Sequence, residues 1–224
     1  MKIILFGATG MVGQGVLREC LVDADVQSVL SIGRSASGQS HKKLREIVRK
    51  DLTDLADIEN ELRGYDACFY CLGVSSAGMT EADYREVTYG LTMAVARTLA
   101  RLSPGMTFIY VSGAGTDSTG SGRFMWARVK GKTENDLMRL PFRAAYMFRP
   151  GFIQPLHGVS SKTALYRIFY TMLGPLIPLF TAALPQYVTT TERVGRAMIE
   201  AARHGAPKAV LEGKDINELA GNGR

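Results

Sequence analysis

Residues 2–13 read KIILFGATGMVG, and the order of features in this stretch decides the fold. Ile3, Ile4, Leu5 and Phe6 form an unbroken apolar run that stops at a glycine, as expected of a strand buried on both faces. Three glycines follow at 7, 10 and 13, and a helical pattern then runs from about Met11 to Leu21. A turn that feeds a helix offers unpaired backbone N–H groups and the positive end of the helix dipole, which together suit a phosphate. In that setting Gly7 permits the tight turn, Gly10 lets the backbone approach a pyrophosphate, and Gly13 lets helix and strand pack closely. The spacing is GxxGxxG rather than GxGxxG, so the strand–turn–helix order, more than the glycines themselves, marks a dinucleotide site.

Outward from this stretch, SVLSIG, EIVRK, ACFYCLG, MTFIYVSG and AAYMFRPGF read as further apolar strands. Helical segments separate them, notably a long helix over about Glu81 to Arg101 and another that contains Lys130. Apolar strands alternating with helices imply an α/β fold, a doubly wound parallel sheet covered on both faces. Residues 1–224 are expected to form a single Rossmann-like domain. The tail holds a helix in TTERVGRAMIEAARHG and a late strand in KAVLEG, and residues 155–190 are expected to form a hydrophobic cap over the C-terminal edges of the strands. Within it, residues 165–184 carry one charge in twenty, but Gly174, Pro175 and Pro178 break any single spanning helix. Two short helices lining an apolar ligand pocket are expected, with peripheral membrane contact as the alternative.

The 224 residues are 46% apolar and 21% charged, enough to bury a full core. The net charge of +6 is scattered, which argues against nucleic acid as a partner and suits a small phosphorylated molecule. The start MKIILFGATG has no secretory h-region, so a cytoplasmic location is expected. Cys20, Cys68 and Cys71 are expected to be reduced thiols. The CxxC of Cys68 and Cys71 lies in a strand, where residues three apart point to opposite faces, so it is read as structural and no metal site is expected.

The second strand should end beside the ribose of an adenosine, where sites selective for NAD place an acid against the 2′-hydroxyl. Here stands Arg34, and no acid follows until Glu46. A guanidinium suits a 2′-phosphate and stacks on adenine, so NADP is expected in preference to NAD.

GATGMVG, Asp51-Leu52 after the third strand, CLG at the end of the fourth, VSG, a helix with K-x-x-x-E and RPGF together resemble the short-chain dehydrogenase/reductase superfamily, nearest to its extended and atypical branches. The resemblance implies that Gly7, Thr9, Gly10, Met11, Val12 and Gly13 hold the pyrophosphate, Arg34 the 2′-phosphate, and Asp51 and Leu52 the adenine. It also assigns Cys71, Leu72 and Gly73 to the adenosine side and Lys130 to the nicotinamide ribose. The family's catalytic tyrosine precedes that lysine by four residues, and here the position is Trp126. An indole donates a hydrogen bond but is no proton acid near neutral pH. The family's serine is displaced as well, with Ser112 as the candidate and Thr116 and Ser118 further on. Trp126 is either core, in a stripe with Val129, Thr133, Leu137 and Leu140, or a wall of the nicotinamide pocket beside Lys130, the latter being favoured. Tyr84, Tyr89 and His157 are weaker candidates for a proton donor, and Thr80 with Asp83 reads as a helix cap. The resemblance thus implies an oxidoreductase or epimerase-like enzyme for an apolar small molecule, or a redox sensor that has kept the nucleotide site and lost the chemistry. In the family the long helix and the lysine helix often form a homodimer face.

Overall fold

The computed structural model describes residues 1–158 and 188–221. Seven parallel strands form the main sheet: β1 (Lys2–Phe6), β2 (Ser28–Gly33), β3 (Leu44–Val48), β4 (Ala67–Tyr70), β5 (Thr107–Val111), β6 (Ala144–Arg149) and, later in the chain, β9 (Val210–Glu212). Their spatial order is β3-β2-β1-β4-β5-β6-β9, so the winding reverses between β1 and β4. A crevice opens at such a reversal, outside the carboxyl ends of the two strands, and there a parallel sheet binds its ligand. A two-stranded parallel sheet, β7 (Phe152–Gln154) with β8 (Val188–Thr190), lies beyond β6.

Alternation along the strands builds two cores. Ile3, Leu5, Val29, Phe69, Ile109 and Phe148 face one side, against α1 (Met11–Val22), α5 (Thr191–His204) and α6 (Gly213–Gly221). Ile4, Phe6, Leu30, Cys68, Tyr70, Phe108 and Tyr110 face the other, against a 3-10 helix (Ala56–Leu62), α3 (Leu91–Leu102) and α4 (Met125–Leu137). The doubly wound α/β expectation is thereby met, and the two cysteines of the CxxC are packed into opposite cores. Burial pushes both thiols up, Cys71 to about 12, which leaves neither suited to thiolate chemistry.

On the first face α1 and α5 touch through glycines. A Cβ on Gly15 would overlap Thr191, and one on Gly195 would lie 2.8 Å from Cγ of Glu19. Glu19 is 3% exposed, and its charge is balanced by Arg18 and by Arg196, whose Nε is 3.2 Å away. Thr190 caps α5 by accepting from the Arg193 amide, and Gly205 ends it at φ +86°.

Several features differ from the expectation. The long helix is interrupted: α2 (Glu81–Arg85) passes through a π-turn at Glu86–Gly90 before α3 begins. The 3-10 helix, the β7–β8 pair and α6 are short or weakly patterned and escape a periodicity reading. Of the expected cap, residues 159–187, including all of 165–184, lie outside the described residues. Among those described, no helix is long and apolar enough to cross a membrane.

The glycine contact yields a stability prediction. Alanine in place of Gly15 gains about 1 kcal/mol of helix propensity but overpacks the α1–α5 seam at about 1–3 kcal/mol. A net fall of several degrees in Tm is expected for Gly15→Ala; an unchanged or raised Tm would mean that the two helices part freely.

Candidate dinucleotide site

The crevice at the switch point has a volume of about 540 Å³ and is walled at one end by Thr9, Gly10, Met11 and Val12. Gly7 is there for two reasons: its φ is +88°, and a Cβ would lie 2.7 Å from the Cys71 backbone at the end of β4. A Cβ on Gly13 would overlap the Gly7 carbonyl. Gly10 differs, since its Cβ would meet nothing nearer than that carbonyl at 3.4 Å. The fold therefore needs Gly7 and Gly13, while Gly10 leaves the floor of the crevice open. Gly10 is the N-cap of α1, no side chain caps that end, and its first turn holds no acid. An uncapped helix N-terminus at the floor of a crevice fits a pyrophosphate.

A second chamber of about 260 Å³ adjoins the first and shares Arg34, Leu72, Gly73 and Val74 with it. Asp51 and Leu52 line it, with Thr53, Val87, Thr88, Leu91 and Thr92. Leu52 is buried, whereas Asp51 is exposed and accepts from the hydroxyl and amide of Thr53, which hold its carboxyl below the usual range. Arg34 is exposed at the mouth between the chambers. The positions carried over by the resemblance, Gly7 to Val12, Arg34, Cys71, Leu72, Gly73 and Lys130 around the crevice and Asp51 and Leu52 around the second chamber, are thus brought together, with Gly13 just behind them.

At the far end Lys130 lines the crevice with Val111, Ser112, Gly113 and Pro150 to Ile153. Its ammonium donates to the Ser112 carbonyl. Burial lowers its pKa to about 8, against which the nearby Glu134 charge pulls upward. Behind it lies an ion network that the sequence reading left without a role. Glu134, fully buried one helical turn beyond Lys130, accepts from the Ser112 hydroxyl at 2.5 Å and from Arg149 Nε at 3.0 Å, and pairs with Arg149 Nη2. Arg149 reaches on to Ser118 and to Glu212 at the end of β9. An acid four residues after the lysine and an arginine ahead of Pro150 were the available signals; only packing tells that they meet.

Two candidates stand differently from the rest. Ser112 lies in the crevice wall, is 5% exposed, and its hydroxyl donates to Glu134. Trp126 does not belong to the crevice wall among the described residues, nor is it in the core. It is half-buried, with its ring beside Gly115. Of the stripe below it, Val129, Thr133 and Leu137 are buried and Leu140 is partly so.

The weaker candidates have other work. Tyr84 is buried, Tyr89 donates to Asp136 at 2.8 Å, and His157 pairs with Glu192 at 2.7 Å. Thr116 donates to the Gly113 carbonyl, and Thr80 caps α2 by accepting from the Asp83 amide. Among the described residues no cluster is suited to a metal ion.

A parallel sheet wound around such a crevice, with an uncapped helix at its floor, is the architecture of a dinucleotide-binding Rossmann domain. A family model described as NAD(P)H-binding matches residues 7–139, and the chain belongs to that NAD(P)H-binding family. Among its relatives, "Protein FMP52, mitochondrial" of Meyerozyma guilliermondii is 26% identical over 230 residues, 98% of this chain and 95% of the relative. A short-chain dehydrogenase/reductase family oxidoreductase from Burkholderia thailandensis superposes with a TM-score of 0.66 at 16% identity, over 95% of this chain and 91% of that one. The dTDP-glucose 4,6-dehydratase DesIV of Streptomyces venezuelae, solved with NAD and TYD bound, gives 0.66 at 17%, over 99% and 80%. At these identities the structures share the fold. The cytoplasmic expectation is overturned by the relatives, several of which are named as mitochondrial proteins.

Two outcomes test the geometry. Asp is a good N-cap, so Gly10→Asp is expected to keep or raise Tm yet abolish NADPH binding by setting a carboxylate against the pyrophosphate, whereas Gly13→Ala should lower Tm. Fluorescence titration and thermal melts of both variants check this contrast. Separately, Lys130 has a folded pKa below its unfolded value near 10.5, so folding releases its proton between the two. Stability of the free wild type should therefore rise relative to Lys130→Met as pH goes from about 8 to 10.5, measured by urea melts. Parallel curves would refute the buried ammonium.

Proposed function

We propose that this protein binds NADP(H) and carries out a reduction or an epimerase-like reaction on an apolar small molecule, with Lys130 as its proton donor. One observation carries this reading: among the described residues that line the crevice the ionisable side chains are Arg34, Cys71 and Lys130. A guanidinium is not a proton acid for catalysis, and the Cys71 thiol, pushed up to about 12, holds its proton. Lys130 alone exchanges a proton near working pH, because burial brings it to about 8.

In this reading Thr9, Gly10, Met11 and Val12 hold the pyrophosphate, Arg34 pairs with the 2′-phosphate, and Asp51, Leu52, Cys71, Leu72 and Gly73 enclose the adenosine. The nicotinamide ring supplies or accepts the hydride when bound. Lys130 holds the ribose and keeps a proton at Nζ, anchored by the Ser112 carbonyl, while Val111, Phe152 and Ile153 exclude water and favour an apolar substrate.

A second reading, a redox sensor without turnover, is favoured by the Ser112 hydroxyl being engaged by Glu134 and by an indole standing where the family's tyrosine would be. A panel of aldehydes, ketones and quinones with NADPH separates the two. If Lys130 is the acid, turnover falls as pH rises through about 8, and Lys130→Arg, which keeps the charge but not the exchangeable proton, binds NADPH with turnover at background. A wild type that binds NADPH and reduces no member of the panel supports the sensor. For the cofactor, loss of one charge-assisted contact in Arg34→Ala should weaken NADPH about ten- to a hundred-fold and NADH little. Equal wild-type affinity for both would refute the NADP preference.

A further inference from the structure

Lys130 and Glu134 stand one turn apart on α4, a spacing at which an ammonium and a carboxylate ordinarily meet directly. Here the carboxylate pairs with Arg149 instead. Lys130 and Glu134 meet only through Ser112: the ammonium donates to its carbonyl, and the carboxylate accepts from its hydroxyl at 2.5 Å. Arg149 keeps Glu134 in that posture, with Nε 3.0 Å from one carboxylate oxygen and 3.2 Å from the other, and Nη2 on the second. A guanidinium fork of this kind fixes the plane of a carboxylate. Glu134 is fully buried, and a buried ion pair adds little net stability, so packing alone would be served as well by apolar side chains.

Ser112 follows the last residue of β5, and its carbonyl belongs to the peptide shared with Gly113, whose φ is +140°. That peptide lies beyond the strand ladder, where a glycine leaves it free to turn. Three backbone and side-chain bonds leave the Ser112 Cα. The amide is held by the Phe148 carbonyl at 2.8 Å and the hydroxyl by Glu134, so the direction of the third bond, which carries the carbonyl, is set by the other two. An ammonium has three N–H donors. With one given to that carbonyl, two are left for the crevice that Lys130 lines. The other ionisable groups lining the crevice among the described residues, Arg34 and the Cys71 thiol, offer the ammonium no carboxylate.

We propose that Glu134 is a positioning residue for Lys130: by holding the Ser112 hydroxyl it fixes the carbonyl that receives the ammonium, while Arg149 keeps its carboxylate off the ammonium. The proposal rests on the reading of Lys130 as the nicotinamide-ribose contact and extends it to two residues that line neither chamber.

The test uses the full chain with Lys130→Met, Ser112→Ala, Glu134→Gln and the apolar pair Glu134→Leu with Arg149→Met. Calorimetry with NADPH and with 2′,5′-ADP is set beside thermal melts. 2′,5′-ADP lacks the nicotinamide half, so it reports on the adenosine end and on the fold. Lys130→Met should weaken NADPH about five- to twenty-fold and leave 2′,5′-ADP unchanged. Ser112→Ala and the apolar pair should each weaken NADPH about three- to tenfold, again with 2′,5′-ADP unchanged, and adding Lys130→Met to either should weaken it little further than Lys130→Met alone. Glu134→Gln, whose amide oxygen still accepts from the Ser112 hydroxyl, should recover near wild-type NADPH affinity even where Tm falls. A part in stability alone would lower Tm and move the two affinities together or not at all. Unchanged NADPH affinity in Ser112→Ala or in a folded apolar pair, a loss fully additive with Lys130→Met, or a loss shared with 2′,5′-ADP overturns the assignment and leaves the cofactor reading intact. Wild-type NADPH affinity in Lys130→Met overturns the ribose contact itself, and this inference with it.

Discussion

The arrangement of the site depends on one steric constraint, the backbone contact between Gly13 on the first helix and the Gly7 carbonyl at the end of the first strand. No other residue fits at position 13, because a Cβ would overlap that carbonyl, and Gly7 in turn admits no side chain against the Cys71 backbone. Three segments, the end of β1, the start of α1 and the end of β4, are thereby held at backbone distance. That closeness sets the uncapped end of α1 in the wall of the crevice, where a helix N-terminus favours an anion.

At the opposite end the controlling term is electrostatic. Glu134 is fully buried, and an isolated carboxylate there would be untenable. Arg149 neutralises it and the Ser112 hydroxyl completes its shell, which ties α4 to the ends of β5 and β6 and, through Glu212, to β9. Such a pair adds little net stability, but removal of one partner strands the other. Its effect on chemistry is indirect: with the Glu134 charge answered by Arg149, Lys130 is left without a partner carboxylate, and burial dominates its proton affinity.

The sheet, its winding and the phosphate loop were legible because each is written in local pattern. KIILF followed by spaced glycines and a helix admits one reading, and the strand at Ala67–Tyr70 correctly divorced Cys68 from Cys71. The fates of Trp126 and Ser112 were not legible. Register along α4 places Trp126 and Lys130 on one side of the helix, but only Lys130 is among the described residues that line the crevice. The engagement of Ser112 by Glu134 depends on a contact across 22 residues that no periodicity encodes. The π-turn was hidden for a similar reason. Its residues, EVTYG, continue a helical pattern, and the segment is too short for its shift of register to stand out.

The seam between α1 and α5 has a consequence for how the chain is made. Glu19 and Arg196, which meet across it, are 177 residues apart in sequence. At about 5–20 residues per second, the ribosome needs on the order of ten seconds or more to deliver α5 after α1 has emerged. Throughout that interval one face of the nascent sheet has its first helix but lacks the partner that covers it, leaving Val16, Leu17 and Cys20 without their later neighbours. The opposite face, closed by the 3-10 helix, α3 and α4, can be completed once about two thirds of the chain is out. Folding during synthesis is therefore lopsided, and the late face is where a chaperone would find apolar surface to hold.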